Sequence, residues 1–215
     1  MKKNKIFYVF TLLVASLFLS CDEDTEGISQ TTFYPVFDMQ GEQFQTILVG
    51  ESYTDSAVTA TEAGEEIEVT AEGEVDTSTP GVYIFTYSAT NKDGFTRSVY
   101  RYVGVLDPAV VDIDLSGQYK RTAGAAGVST VTKIGPGLYR ADNIGGVGTP
   151  GPSDAIQFFH PEGTTLIGPP QVVASGALHA IEDGSFVPQG NTASQYSWRV
   201  IAPGFGTVLR TFVRL

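Results

Sequence analysis

Along most of the chain the apolar residues come in short runs, alternating with polar ones or cut by Gly, Pro, Asp and Glu, and no stretch sustains the spacing of an amphipathic helix. In the first half, FYPVFDM (33–39), FQTILV (44–49), EIEVTA (66–71), GVYIFTYSAT (81–90) and RSVYRYVGV (97–105) read as strands. Within 81–90, Tyr83, Phe85, Tyr87 and Ala89 share one face and Val82, Ile84, Thr86 and Ser88 the other. Both faces carry apolar residues, which predicts a central strand. Asn91-Lys92-Asp93-Gly94 supplies a turn, after which 97–105 returns antiparallel. The second half repeats the pattern in LSGQYKRT (115–122), STVTKIGPGLYRADNI (129–144), AIQFFH (155–160), TTLIG (164–168), QVVASGALHAI (171–181) and YSWRVIAPGFGTVLRTFVRL (196–215). Gly135-Pro136-Gly137 is placed to turn a hairpin. The expected fold class is all-β, a sandwich followed by a second antiparallel β-rich domain.

The exception lies at the start. Lys2, Lys3 and Lys5 precede an apolar run from Ile6 to Leu19, the make-up of a cleaved signal peptide and too short to span a bilayer comfortably. Without residues 1–20 the formal charge moves from −11 to −14, because three lysines and no acids are lost. Nucleic acid, whose phosphates need a basic face, is a poor partner for such a chain. The acids are uneven: residues 22–106 carry 16 Asp and Glu against Lys92, Arg97 and Arg101, whereas 107–215 carry 8 against 7 Lys and Arg. That contrast predicts two domains with different surfaces, 32–106 and 115–215. The junction is 107–114, where Pro108 resists ladder pairing, and so short a linker restricts motion without setting an angle.

Cys21 is the only cysteine, so it has no partner for an internal disulfide, and with only His160 and His179 no usual zinc cage can be built around it. Its place at the end of the leader, after Phe18, Leu19 and Ser20, resembles the lipobox of bacterial lipoproteins, in which the cysteine becomes the lipidated first residue of the mature chain. A diacylglyceryl cysteine supplies the two acyl chains that stable anchoring takes. Asp22, Glu23, Asp24 and Glu26 follow at once. This 21–31 stretch reads either as a solvated tether or, by resemblance, as the acidic export signal of Bacteroidetes-type lipoproteins, which implies an outer-membrane anchor facing the cell exterior.

Two further resemblances concern the folded parts. Gly50, Glu51 and Tyr53, then Asp76, Gly81, Tyr83, Tyr87, Asp93, Gly94, Arg101, Val103 and Val105, resemble the motif of the bacterial immunoglobulin-like domain of crystal toxins and cell-surface lipoproteins, across most of 34–105. Ser56-Ala57 departs from it, since the family usually has a glycine after the aspartate. The resemblance implies a spacer or display module whose tyrosines belong to the core. Arg101 shares parity with Val99, Val103 and Val105, so it is expected to be partly buried, and a buried guanidinium requires a carboxylate; Asp76 is the candidate. In 115–215, SG-x-Y, VTKI-x-x-G-x-Y, D-N-x-GG and a late Trp resemble the β-rich C-terminal domain that often follows this module in lipoproteins of gut Bacteroidetes. Polysaccharide-uptake systems are the association that family implies.

Catalytic motifs are missing. G-x-S-x-G, a P-loop and H-E-x-x-H are absent, and neither histidine lies in a nucleophile motif. Nothing selects a glycosidase pair from Asp142, Asp154, Glu162, Glu182 and Asp183. Asn91 to Gly94 and Asp142-Asn143 offer oxygens for calcium, but hairpin turns explain them more simply. The expectation is therefore a non-enzyme with no cofactor and no metal. Binding has more support, because sugars stack their C–H faces on aromatic rings and hydrogen-bond polar neighbours. Candidate residues are Trp198 and Tyr196, near Asn191 and Gln195, and Tyr139 with Arg140, Asp142 and Asn143, beside the loop Gly145–Ser153. Against a platform role, Trp198 alternates with Tyr196 and Val200 as a core row does. The expected role is a glycan-binding or display component of a surface uptake complex. The alternatives are a protein-interaction subunit without a small ligand and a carbohydrate-active hydrolase.

Overall fold

Fifteen strands are seen in the computed structural model, which describes residues 31–124, 126–148 and 155–215. The leader, Cys21 and the acidic stretch to Glu26 lie outside the described residues, as do Asp154 and residues 149–153 of the loop that begins at Gly145.

The first seven strands make two sheets. One holds β1 (Val36–Met39), β3 (Val58–Glu62) and β4 (Glu65–Ile67); the other runs β2 (Phe44–Leu48), β7 (Thr96–Leu106), β6 (Gly81–Thr90) and β5 (Thr70–Glu72), with β2 parallel to β7. The expected strand EIEVTA is thus two: β4 pairs with β3, then the chain crosses to the other sheet, where β5 pairs with β6. β6 is central, as the apolar character of both its faces predicts. Its partner β7 is buried on both faces from Arg101 to Leu106. Arg101, Val103 and Val105 lie opposite Phe85, Tyr83 and Gly81 and face the sandwich. Tyr102, Gly104 and Leu106 face the other way, toward the second module.

That second module is a closed barrel of eight antiparallel strands, each paired with the next in sequence: β8 (Gly117–Arg121), β9 (Val128–Gly135), β10 (Leu138–Ala141), β11 (Ile156–Phe159), β12 (Thr165–Val172), β13 (Leu178–Gln189), β14 (Thr192–Ile201) and β15 (Leu209–Arg214). β15 pairs with β8 to close the ring, which removes every free edge. The hairpin around Pro136-Gly137 forms as expected, whereas QVVASGALHAI is a hairpin and not a single strand, with Val172 opposite Leu178. The interior of eight strands is just wide enough for side chains to fill, and here aromatic rings fill it. Tyr119, Tyr139, Phe158, Tyr196, Trp198 and Phe212 are all buried. Tyr196 lies 4.3 Å from Trp198 and 4.7 Å from Phe212 between ring centroids.

The junction is no free hinge. Asp107 N–H donates to Pro161 O at 2.8 Å, Lys133 Nζ donates to Val111 O and Ile113 O at 2.9 and 2.8 Å, and Asp114 N–H donates to Asn191 O at 2.7 Å. Phe44, Tyr102, Leu138 and Phe159 form a small buried cluster between the modules. Gly104 permits this contact, since a Cβ there would stand 2.6 Å from the Phe159 ring. Tyr34–Leu215 consequently forms one compact unit.

Candidate functional site

Arg101, expected to be partly buried, is fully buried, and its carboxylate is Asp55 and not Asp76. Asp76 is engaged locally, accepting from Ser78 N–H at 2.9 Å and Ser78 Oγ at 2.6 Å, an arrangement that also lowers its pKa. Asp55 gathers three donors: the Arg101 guanidinium, Tyr87 Oη at 2.5 Å and Tyr53 Oη at 3.1 Å. Burial first, and then the Asp55 charge, pushes the Tyr53 phenol up to about 12. These bonds tie the segment before β3 to β6 and β7 across the two sheets, so the cluster is the polar core of the sandwich.

Most of the sequence-predicted binding residues are structural. Trp198, fully buried, donates from Nε1 to Ile144 O at 2.9 Å. Tyr139 donates to Ile113 O at 2.7 Å, and burial pushes its phenol well up. Tyr196 is enclosed between Tyr119 and Phe212. None of these rings offers a free face, so the expectation of an aromatic platform at Tyr139, Tyr196 and Trp198 is corrected: they are barrel core. Asn143 is buried too; its amide donates to Val128 O and Val147 O while Oδ1 accepts from Val147 N–H. Asp142 accepts from Thr130 N–H at 2.6 Å. Both tie a loop to its neighbours. Of the other acids, Asp183 is paired with Arg199. His160, whose pKa is lowered chiefly by burial, contacts Gly163 O through Nε2 at 2.9 Å.

Arg140 is the exception. It is exposed on the outer face of β10, between Thr132 on β9 and Gln157 on β11, its direct cross-strand partners. The row Thr132–Arg140–Gln157 runs across three strands, and among the described residues Arg140 makes no ion pair. The row ends at the seam between the modules, where two adjoining hollows of about 230 and 540 Å³ share Gln43, Phe44 and Gln157. Arg140 and Gln171 line the first hollow and Glu42 the second. Gln171 is held rigidly: its Oε1 accepts from Gln157 N–H and its Nε2 donates to Gln157 O, both at 2.8 Å, in place of a sparse β11–β12 ladder. Gln43 donates to Tyr100 O at 3.1 Å, and the Tyr100 ring, 41% exposed, stacks 6.4 Å from Tyr102, which lies 5.0 Å from Phe44. The hollows offer a guanidinium and amides, and one open aromatic ring, Tyr100, stands beyond Tyr102. Sequence reasoning named Arg140 but not Gln43, Tyr100 or Gln157, which no local pattern distinguishes from other surface residues.

Residues 37–105 match the family described as "Bacterial surface protein, Ig-like domain". This segment, β1 to β7, is therefore a bacterial surface Ig-like domain. Among solved structures, a lipoprotein from Bacteroides thetaiotaomicron is 22% identical, with 85% of this chain and all of that chain covered, at a TM-score of 0.38. No curated protein matches the chain by sequence.

Proposed function

We propose that this chain is a non-catalytic lipoprotein of the outer-membrane surface, anchored through Cys21, that binds glycan as an accessory component of a polysaccharide-uptake system. The family of the first module and the leader ending at Cys21 support the surface location. One observation carries the binding role: the Arg140 guanidinium, without an ion pair among the described residues and in register with Gln157, lies along a groove that also presents amides, with the exposed Tyr100 stacked on Tyr102 behind Phe44. Sugar hydroxyls need the polar groups and sugar C–H faces need the ring. The Ig-like module contributes Glu42, Gln43 and Phe44, so it is a wall of the groove as well as a spacer.

Isothermal titration of the full chain in detergent against a panel of polysaccharides tests this reading. At least one glycan should bind, and Arg140→Ala should weaken it by about tenfold, the scale of a lost charge-assisted hydrogen bond, with circular dichroism unchanged. No heat with any glycan from a folded sample overturns the proposal. A stoichiometric protein partner recovered from solubilised outer membranes would then favour an interaction subunit. Hydrolysis of a glycan by the purified chain would favour an enzyme.

A further inference from the structure

The two ends of the barrel differ. Next to the Ig-like module the strands are joined by short connections, Pro136-Gly137, residues 160–164 and Gly190-Asn191. At the far end the connections span 122–127, 142–155, 173–177 and 202–208. Ligand sites in small barrels lie in the mouth, where long loops gather.

Two of the interior positions nearest this far mouth are cationic. Arg121 closes β8 directly opposite Phe212, so it shares the face of that fully buried ring and stands diagonally from Arg210. Arg210 is only 6% exposed, and its Nη1 and Nη2 donate to the Val208 and Phe205 carbonyls. Its Nε has no acceptor, and among the described residues no carboxylate pairs with it. Arg121 donates to Gly145 O at 3.2 Å. Burial first, and then the charge of Arg121, lowers the Arg210 pKa. At the same mouth His179, 4% exposed, keeps Nδ1 without a partner. The Phe205 ring lies between these groups, 5.4 Å from the Arg210 guanidinium and 6.0 Å from the His179 ring. Phe205 stands between Gly204 and Gly206, both at positive φ, a backbone conformation that glycine adopts without steric cost.

A buried cation without a counter-charge costs several kcal/mol, and a second cation in the adjacent position adds to that cost. Two cations held together in this way, with one buried N–H unused, form the complement of a negative group. We propose that the far mouth of the barrel is a binding site for a small oxyanion, a carboxylate or a phosphate, held between Arg210 and Arg121 and covered by Phe205. Guanidinium N–H groups match both anions in geometry. The site uses none of the residues that line the hollows beside Arg140 and stands or falls independently of that groove.

The test is calorimetric titration of the full chain in detergent with sodium glucuronate and, separately, inorganic phosphate, at constant ionic strength. Saturable binding of one probe or both is expected; a response to glucuronate alone identifies an organic carboxylate, and a response to phosphate alone a phosphate. Arg121→Gln, at a half-buried position, should weaken binding by about tenfold or more, the scale of a lost charge-assisted hydrogen bond. Lys92→Gln, exposed in the turn between β6 and β7 of the first module, should leave it unchanged, as should Arg140→Ala. Absence of saturable binding by the folded wild type overturns the proposal, and so does equal affinity in Arg121→Gln.

Discussion

Replacing Asp55 by Ala tests the polar core of the Ig-like module most directly. Arg101 is fully buried, and three donors converge on the Asp55 carboxylate: its guanidinium and the hydroxyls of Tyr87 and Tyr53. Removing one partner of a buried ion pair costs about 3–5 kcal/mol, because the other charge is left unpaired. Two features place this case at the lower end. The Asp55 side chain is 26% exposed, so water can enter the vacated space, and Arg101 keeps its bonds to Ser56 O and Gln40 O. The expected loss is about 3 kcal/mol, a large share of the ~5–15 kcal/mol that stabilises a typical domain. Urea unfolding followed by circular dichroism measures it, and the double-mutant cycle with Arg101→Met isolates the pair. With Arg101 absent no buried charge is stranded, so Asp55→Ala should then cost much less, giving a coupling of about 2 kcal/mol or more. Ultraviolet titration of Asp55→Asn supplies a second readout. The Tyr53 phenol, held at about 12 by burial and then by Asp55, should fall toward 10 without reaching it, because the burial remains. A loss below about 1 kcal/mol, or the same loss with and without Arg101, would refute the argument.

Three other outcomes follow from the same structure. Gly104→Ala should lower stability by about 1–3 kcal/mol, since its Cβ would stand 2.6 Å from a Phe159 ring confined by Phe44; thermal unfolding reports it. At alkaline pH the folded state should lose stability: burial raises Tyr53 and Tyr102 from 10 to about 12, so their contribution is complete below pH 10 and disappears as pH rises from 10 to 12, which urea midpoints across that range would show. On the acid side His160, lowered chiefly by burial, contributes stability that is complete above its ordinary value of 6.5 and is lost as pH falls below it. His160→Gln should flatten that slope, and an unchanged slope would assign it to other groups.

The parts of this fold that were legible in the sequence are those set by near neighbours. Alternation alone placed β6 at the centre of its sheet and Arg101 in the interior, and it ranked Trp198, Tyr196 and Val200 as a core row, where all three are found. The misassignments have a common cause. Asp76 is the expected partner of Arg101, yet a turn aspartate followed by Ser78 finds nearer donors. The true partner, Asp55, lies in a segment with no regular period, directly before the departure at Ser56-Ala57, and only the approach of two sheets brings it to Arg101. β3, with the small alternating sequence VTATE, carries too little apolar contrast to stand out. Barrel closure has no local signature either, since Tyr119 meets Arg214 across nearly the whole length of the second module.

The same contrast explains why the candidate site was only partly visible. A residue on the outer face of a barrel strand satisfies the alternation rule whatever its side chain does, so Arg140 looks no different from Thr132 in pattern. What distinguishes it is the approach of β2, which brings Gln43 and Phe44 against Gln157 and turns an open strand face into a wall. That approach depends in turn on Gly104 admitting Phe159 and on the Tyr102 hydroxyl donating to the Pro170 carbonyl. The groove is thus a property of the pair of modules and of neither alone. A substitution such as Gly104→Ala that separates them should weaken glycan binding while Thr132, Arg140 and Gln157 remain in place on the barrel. Binding that survives the loss of this contact would assign recognition to the barrel face alone and return the Ig-like module to the role of a spacer.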